Sequence, residues 1–136
     1  MKRHDMRKYA FMLIFERIFI EDSISEIIET AKQVEEIKIN DNIEKMFSGT
    51  QAHVGEIDDI IKKYLKKWDI KRITKVSLAV LRLAVYEIVF DNDIPTSIAI
   101  DEAIELMKEF STQEDASFVN GVLGSFAREL DKQEEE

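Results

Sequence analysis

Residues 76–90, VSLAVLRLAVYEIVF, hold only three polar side chains: Ser77, Arg82 and Glu87. These three fall on different faces of an α-helix, so a helix here is apolar on every side and belongs at the centre of a bundle. At fifteen residues the run is shorter than the about 17–25 needed to cross a bilayer, and it carries two charges. A second stretch, Tyr9–Phe15, is also apolar all round, within a helix expected over about 5–20. One proline and four glycines in 136 residues leave few breaks between helices, and no alternating apolar pattern is long enough for a sheet.

The remaining helices follow from local signals. Ser23 and Glu26 fit a capping box before a stripe of Ile24, Ile27, Ile28, Ala31 and Val34. Asn40-Asp41 starts a helix with Ile43, Met46, Phe47 and Val54 inward. Gly49 and Gly55 mark close packing, a bend or a break in it. Ile57, Ile60, Ile61, Tyr64 and Leu65 extend the helical pattern to about Trp68. The central helix is expected over about 71–90, and Thr96 or Ser97 should cap a helix over 98–110. Ser111 and Glu114 fit a second capping box, opening a last helix through Phe118, Val119, Val122, Leu123 and Phe126. The expectation is an all-α chain of six or seven helices, a single domain over 1–136. Its N-terminal subdomain covers about 1–68, its C-terminal subdomain about 69–131, and residues 132–136 form a frayed acidic tail.

The net charge of −9 hides a strongly uneven distribution. Residues 1–20 carry five basic and two acidic groups, and residues 62–86 carry eight and one. Residues 21–61 carry three basic and eleven acidic groups, and residues 87–136 three and fourteen. Local positive fields in an acidic chain point to directed electrostatics, not to a general affinity for polyanions. The basic opening is not expected to be a targeting segment. Glu16 and Arg17 interrupt its apolar run, no small-residue cleavage site comes after it, and its acidic residues do not suit a presequence. The reading is a soluble, intracellular protein with no membrane partner.

Catalytic signatures are missing. There is no cysteine, no phosphate-binding glycine loop and no nucleophile elbow. His4 and His53 lie on different helices without a ligand pattern, so no metal and no cofactor are expected. Asp101, Glu102 and Glu105 cluster on one helix without the histidine partner of a di-metal site. Glu102 or Glu105 is instead the expected partner of Arg82 in the central helix, because a buried charge needs one.

The basic segments carry more information. Arg3 and Arg7 share a helix face, and positive charge in a first turn opposes the helix dipole by about 0.3–1 kcal/mol each. A polyanion would reverse that sign, since phosphate suits both guanidinium groups and a helix N-terminus. Tyr9 and Phe11 would add base stacking where exposed, and core packing where not. The second block, residues 62–75, holds seven basic residues and one acid. It would widen an RNA footprint, dock an acidic protein surface, or serve as a solvated connection.

Three stretches resemble the NusB family of bacterial transcription antitermination factors. They are the opening arm with Arg3, Arg7, Ala10 and Phe15; Ala79–Glu87 followed by Asp93-Ile94-Pro95 and Ala99–Leu106; and Phe118–Leu123. The resemblance implies two perpendicular helical subdomains and a non-enzymatic role. It implies binding to boxA RNA of ribosomal RNA leaders together with NusE, a small-subunit ribosomal protein, within the elongating RNA polymerase complex. It assigns RNA contacts to Lys2, Arg3, Arg7 and Lys8 in the arm, and to Glu114 and Phe118 at the start of the last helix. It assigns the NusE contact to Arg72, Val76 and Ser77. The chain departs from the family pattern at His4, Ser77, Asp101 and Ser117, and fewer cations imply a shallower salt dependence. A homodimer of the free protein stays open. The other reading is a helical interaction domain, self-associating or not, without specific RNA binding.

Overall fold

A computed structural model describes residues 1–34 and 38–135, with the side chain of residue 135 left out. The described residues form seven helices: α1 (Arg3–Phe19), α2 (Ile24–Lys32), α3 (Asp41–Ala52), α4 (Val54–Tyr64), α5 (Lys75–Phe90), α6 (Thr96–Phe110) and α7 (Gln113–Glu135). No strand occurs among them.

The apolar run over 76–90 is the axis of the molecule. Helix α5 packs against α1, α3, α4, α6 and α7. Leu78, Ala79, Val80, Leu81, Leu83, Ala84 and Val85 are all buried. Full burial of a Leu or Val contributes about 1.5–3 kcal/mol, so a helix enclosed on all sides anchors both halves of the chain. On one side α1 packs on α2, α3 and α5; on the other, α6 and α7 pack on each other and on α5.

Several helix ends differ from expectation. Helix α5 starts at Lys75 rather than 71, because Thr74 is its N-cap: Thr74 Oγ1 accepts the Ser77 amide at 3.1 Å. Helix α6 starts at Thr96 behind Pro95, with no side-chain cap from Thr96 or Ser97; proline's fixed φ orients the entry instead. In place of the second capping box, the last helix is capped one residue later, with Thr112 Oγ1 accepting the Asp115 amide at 3.0 Å. The capping signals at Ser23 and Asn40 hold, accepting the amides of Glu26 and Ile43. Val34 lies beyond α2 and is exposed. The tail expected to fray over 132–136 is helical through Glu135, and Glu136 lies outside the described residues.

Gly49 is a close-packing glycine. A Cβ there would overlap the Tyr86 phenol, coming within 2.8 Å of its Cε2. The chain breaks at His53, between α3 and α4. The His53 ring stacks on Phe90 at 4.0 Å between centroids.

Candidate nucleic-acid interface

The opening basic cluster divides into two parts. Lys2 and Arg3 are exposed, and their side chains make no hydrogen bond or ion pair among the described residues. The next turns of α1 are fastened down. His4 Nδ1 lies 2.7 Å from Glu102 Oε2. Lys8 Nζ reaches Glu109 Oε1 at 2.7 Å and sits over the Phe110 ring. That carboxylate raises the Lys8 pKa above its ordinary value.

Arg7 corrects the sequence reading. It is 3% exposed, and its Nε donates to both carboxylate oxygens of Glu87 at 2.9 Å. A guanidinium held inside the fold cannot reach a phosphate on the surface. Burial pushes Glu87 above the usual carboxylate range, and Arg7 pulls it part of the way back. The basic residue in a helix's second turn, puzzling on dipole grounds, thus neutralises the one carboxylate buried in α5.

The mid-helix cation of α5 is also satisfied from an unexpected side. Arg82 makes a two-pronged pair with Asp58 of α4, both contacts 2.9 Å. The expected partners are engaged elsewhere, Glu102 with His4 and Glu105 with Lys108. The expected pairing with α6 fails because the Arg82 face of α5 meets α4. No cluster of three metal-ligating side chains occurs among the described residues. Phe11 is core, packed on Phe15 and Phe110, and Tyr9 is half-buried against the same core.

The second half of the site is a cleft of about 270 Å³ between the α4–α5 connection and the start of α7. It brings Arg72 and Ser77 together with Glu114 and Phe118, residues that the sequence reading had divided between two partners. The connection is shaped by Lys66, which adopts the left-handed region at φ 59°. Leu65 is buried before it, and Trp68, after it, is 53% exposed. Asp69 stiffens the rest of the connection: its Oδ1 accepts the Lys71 amide and its carbonyl accepts the Arg72 amide, both at 2.9 Å. Trp68 meets Phe118 edge to face, with centroids 6.2 Å apart.

Ser77 is corrected as a surface contact. It is 1% exposed, and Thr74 Oγ1 donates to its hydroxyl at 2.8 Å, so it belongs to the cap of α5. Val76 is half-buried against the core and Arg72 is exposed. Of the seven cations in the block 62–75, Lys63 is paired, reaching Glu129 Oε1 at 2.7 Å. Tyr64 donates to the other oxygen of the same carboxylate at 2.7 Å. These two bonds hold Glu129 below its ordinary pKa. Sequence reasoning missed Trp68. Its signal was an unpaired aromatic within a lysine-rich connection.

This arrangement defines an all-α protein with free cations at one helix start and an aromatic, cation-bearing cleft at another. A profile of the NusB family matches residues 4–128, and the chain belongs to that family. It is 38% identical to the transcription antitermination protein NusB of Natranaerobius thermophilus over 97% of this chain and 99% of that protein. It is 40% identical to the protein of the same name from Clostridium acetobutylicum, over 92% and 94%. The fold matches NusB of T. maritima with a TM-score of 0.84 at 34% identity, covering 95% of this chain and 92% of that one. A crystal structure of the antitermination factors NusB and NusE in complex with dsRNA matches with a TM-score of 0.79 at 27% identity, over 92% and 96%.

Proposed function

We propose that this chain is a non-enzymatic transcription antitermination factor. In this reading it binds a single-stranded, boxA-like RNA jointly with NusE and joins the elongating RNA polymerase complex in the cytoplasm. The observation that carries the reading is the cleft where Trp68, Phe118 and Arg72 converge, because stacking surfaces beside a cation suit an unpaired base and its phosphate. The names of the relatives support it, and so do the unpaired Lys2 and Arg3. No described helix is long and apolar enough to cross a membrane.

Residue roles follow from exposure. Lys2 and Arg3 contact phosphates directly. Lys8 exchanges Glu109 for phosphate, since a solvent-exposed ion pair contributes little and is readily traded. Arg7 supports the arm from within. Glu114, Phe118 and Arg72 line the RNA cleft, which moves Arg72 from the NusE contact to the RNA, while Val76 carries the NusE contact that Ser77 holds in shape. The two-subdomain division is part of the same reading, with its boundary in the α4–α5 connection near residue 68.

The test is a titration of boxA-like RNA with and without NusE, at two salt concentrations, against a scrambled sequence. The expected result is tighter binding of the boxA-like RNA, a gain from NusE and a loss at high salt. Equal affinity for both RNAs with no gain from NusE would leave the helical interaction domain as the better reading.

A further inference from the structure

We infer that the cleft holds one unpaired base stacked on Trp68 and selects guanine through the carboxylate of Glu114. The inference rests on the RNA-binding reading above and adds to it a platform residue and a base preference.

The placement of Trp68 is the starting point. Tryptophan side chains are highly buried on average, yet this one is 53% exposed. Its backbone is nevertheless fixed. The left-handed turn at Lys66 directs the chain outward, the Trp68 amide bonds the Leu65 carbonyl at 3.1 Å, and Asp69 closes the next turn. An exposed indole carried on a hydrogen-bonded backbone and braced on one side by Phe118 is a ready stacking surface, worth about 1–3 kcal/mol per base by alanine substitution.

The ring geometry limits the slot to a single base. Trp68 and Phe118 lie at 74° to each other, so they form a corner rather than two parallel walls. A base stacked on the indole meets Phe118 at its edge. The cleft volume of about 270 Å³ has room for a base.

The polar groups then decide which base fits. Asp115 is occupied, its Oδ2 accepting from Ser111 Oγ at 2.7 Å. The Glu114 side chain is exposed, has no hydrogen-bond partner among the described residues, and lines the same cleft. A carboxylate only accepts hydrogen bonds. Guanine alone presents two adjacent donors on its Watson–Crick edge, N1–H and the N2 amino group. Uracil flanks its one donor with two carbonyls, and adenine and cytosine each place a ring acceptor beside their amino group. Arg72, which lines the cleft from the α4–α5 connection, is placed for the adjoining phosphate.

Trp68 is the only tryptophan, so its emission reports on the slot directly. The experiment uses short unstructured RNA hexamers with one central guanine, or with inosine or adenine in its place, with NusE present. The guanine hexamer should quench Trp68 and bind roughly tenfold tighter than the inosine hexamer, which lacks the N2 amino group. Glu114→Gln should abolish that preference while keeping the quench. Trp68→Ala, followed by anisotropy of labelled RNA, should weaken binding roughly tenfold with the melting temperature unchanged. Equal binding of the three hexamers overturns the guanine preference. RNA binding that leaves Trp68 emission and the Trp68→Ala affinity unchanged overturns the slot but not the RNA-binding function. If no RNA binds with or without NusE, the functional reading itself falls.

Discussion

Arg7 and Glu87 are 80 residues apart in the chain, yet the Arg7 Nε bridges both oxygens of the Glu87 carboxylate at 2.9 Å. Their side chains are 4% and 2% exposed. The pair joins the second turn of α1 to the central helix, so the base of the basic arm is fixed from inside the fold.

Removing one member leaves the other charge buried alone. Arg7→Met should therefore lower stability by about 3–5 kcal/mol, measured by urea unfolding. The double variant Arg7→Met/Glu87→Leu should recover much of the loss. The pH dependence has a definite sign. Burial raises the Glu87 pKa, and without Arg7 it rises further. Folding that favours the protonated acid is strongest at low pH and weakens as pH rises through the folded-state pKa. The Arg7→Met penalty should thus be smaller at pH 5 than at pH 7.5.

Lys2 and Arg3 should behave oppositely to Arg7. Both are exposed, with side chains unpaired among the described residues. Lys2→Ala and Arg3→Ala should leave the melting temperature unchanged. Each should lower RNA affinity and reduce the slope of log K against log salt by about 0.7, the value for one single-strand phosphate contact.

Gly49→Ala should destabilise the junction of α3 and α5, because the added methyl overlaps the Tyr86 phenol. Overpacking of this kind costs about 1–3 kcal/mol. Part of the loss should return in Gly49→Ala/Tyr86→Leu, compared by thermal unfolding against Tyr86→Leu alone.

Asp58→Ala removes the two-pronged partner of Arg82, whose side chain is 16% exposed. The expected loss is about 1–3 kcal/mol in chemical unfolding, since a half-buried guanidinium loses both hydrogen bonds. Glu105→Ala, at the carboxylate that sequence reasoning offered to Arg82, should change stability by less than about 0.5 kcal/mol.

The legible parts of the site were those governed by local rules. Exposed cations before the first apolar residue of α1 could be placed from charge and spacing, whereas an RNA role for Phe118 came only from the family resemblance. Arg7 was misread because a charge four residues from Arg3 looks like a shared surface face. Only the crossing of α1 over α5 shows which of the two points inward. Glu87 held the missing clue: a lone acid in an apolar helix requires a cation, and the arm supplied it. Ser77 was misread for a similar reason, since a polar residue at a helix start serves a partner or a cap equally well until Thr74 is seen beside it.

By itself, then, the chain determined its helices, the central place of α5 and the separation of charge into blocks. These come from periodicity, from the scarcity of glycine and proline, and from the need to enclose a helix that is apolar all round. Tertiary structure decided the pairing of charges and the meeting of Trp68 with Phe118. Such contacts join residues far apart in sequence, and they are set by how helices cross and how one left-handed turn at Lys66 aims the chain.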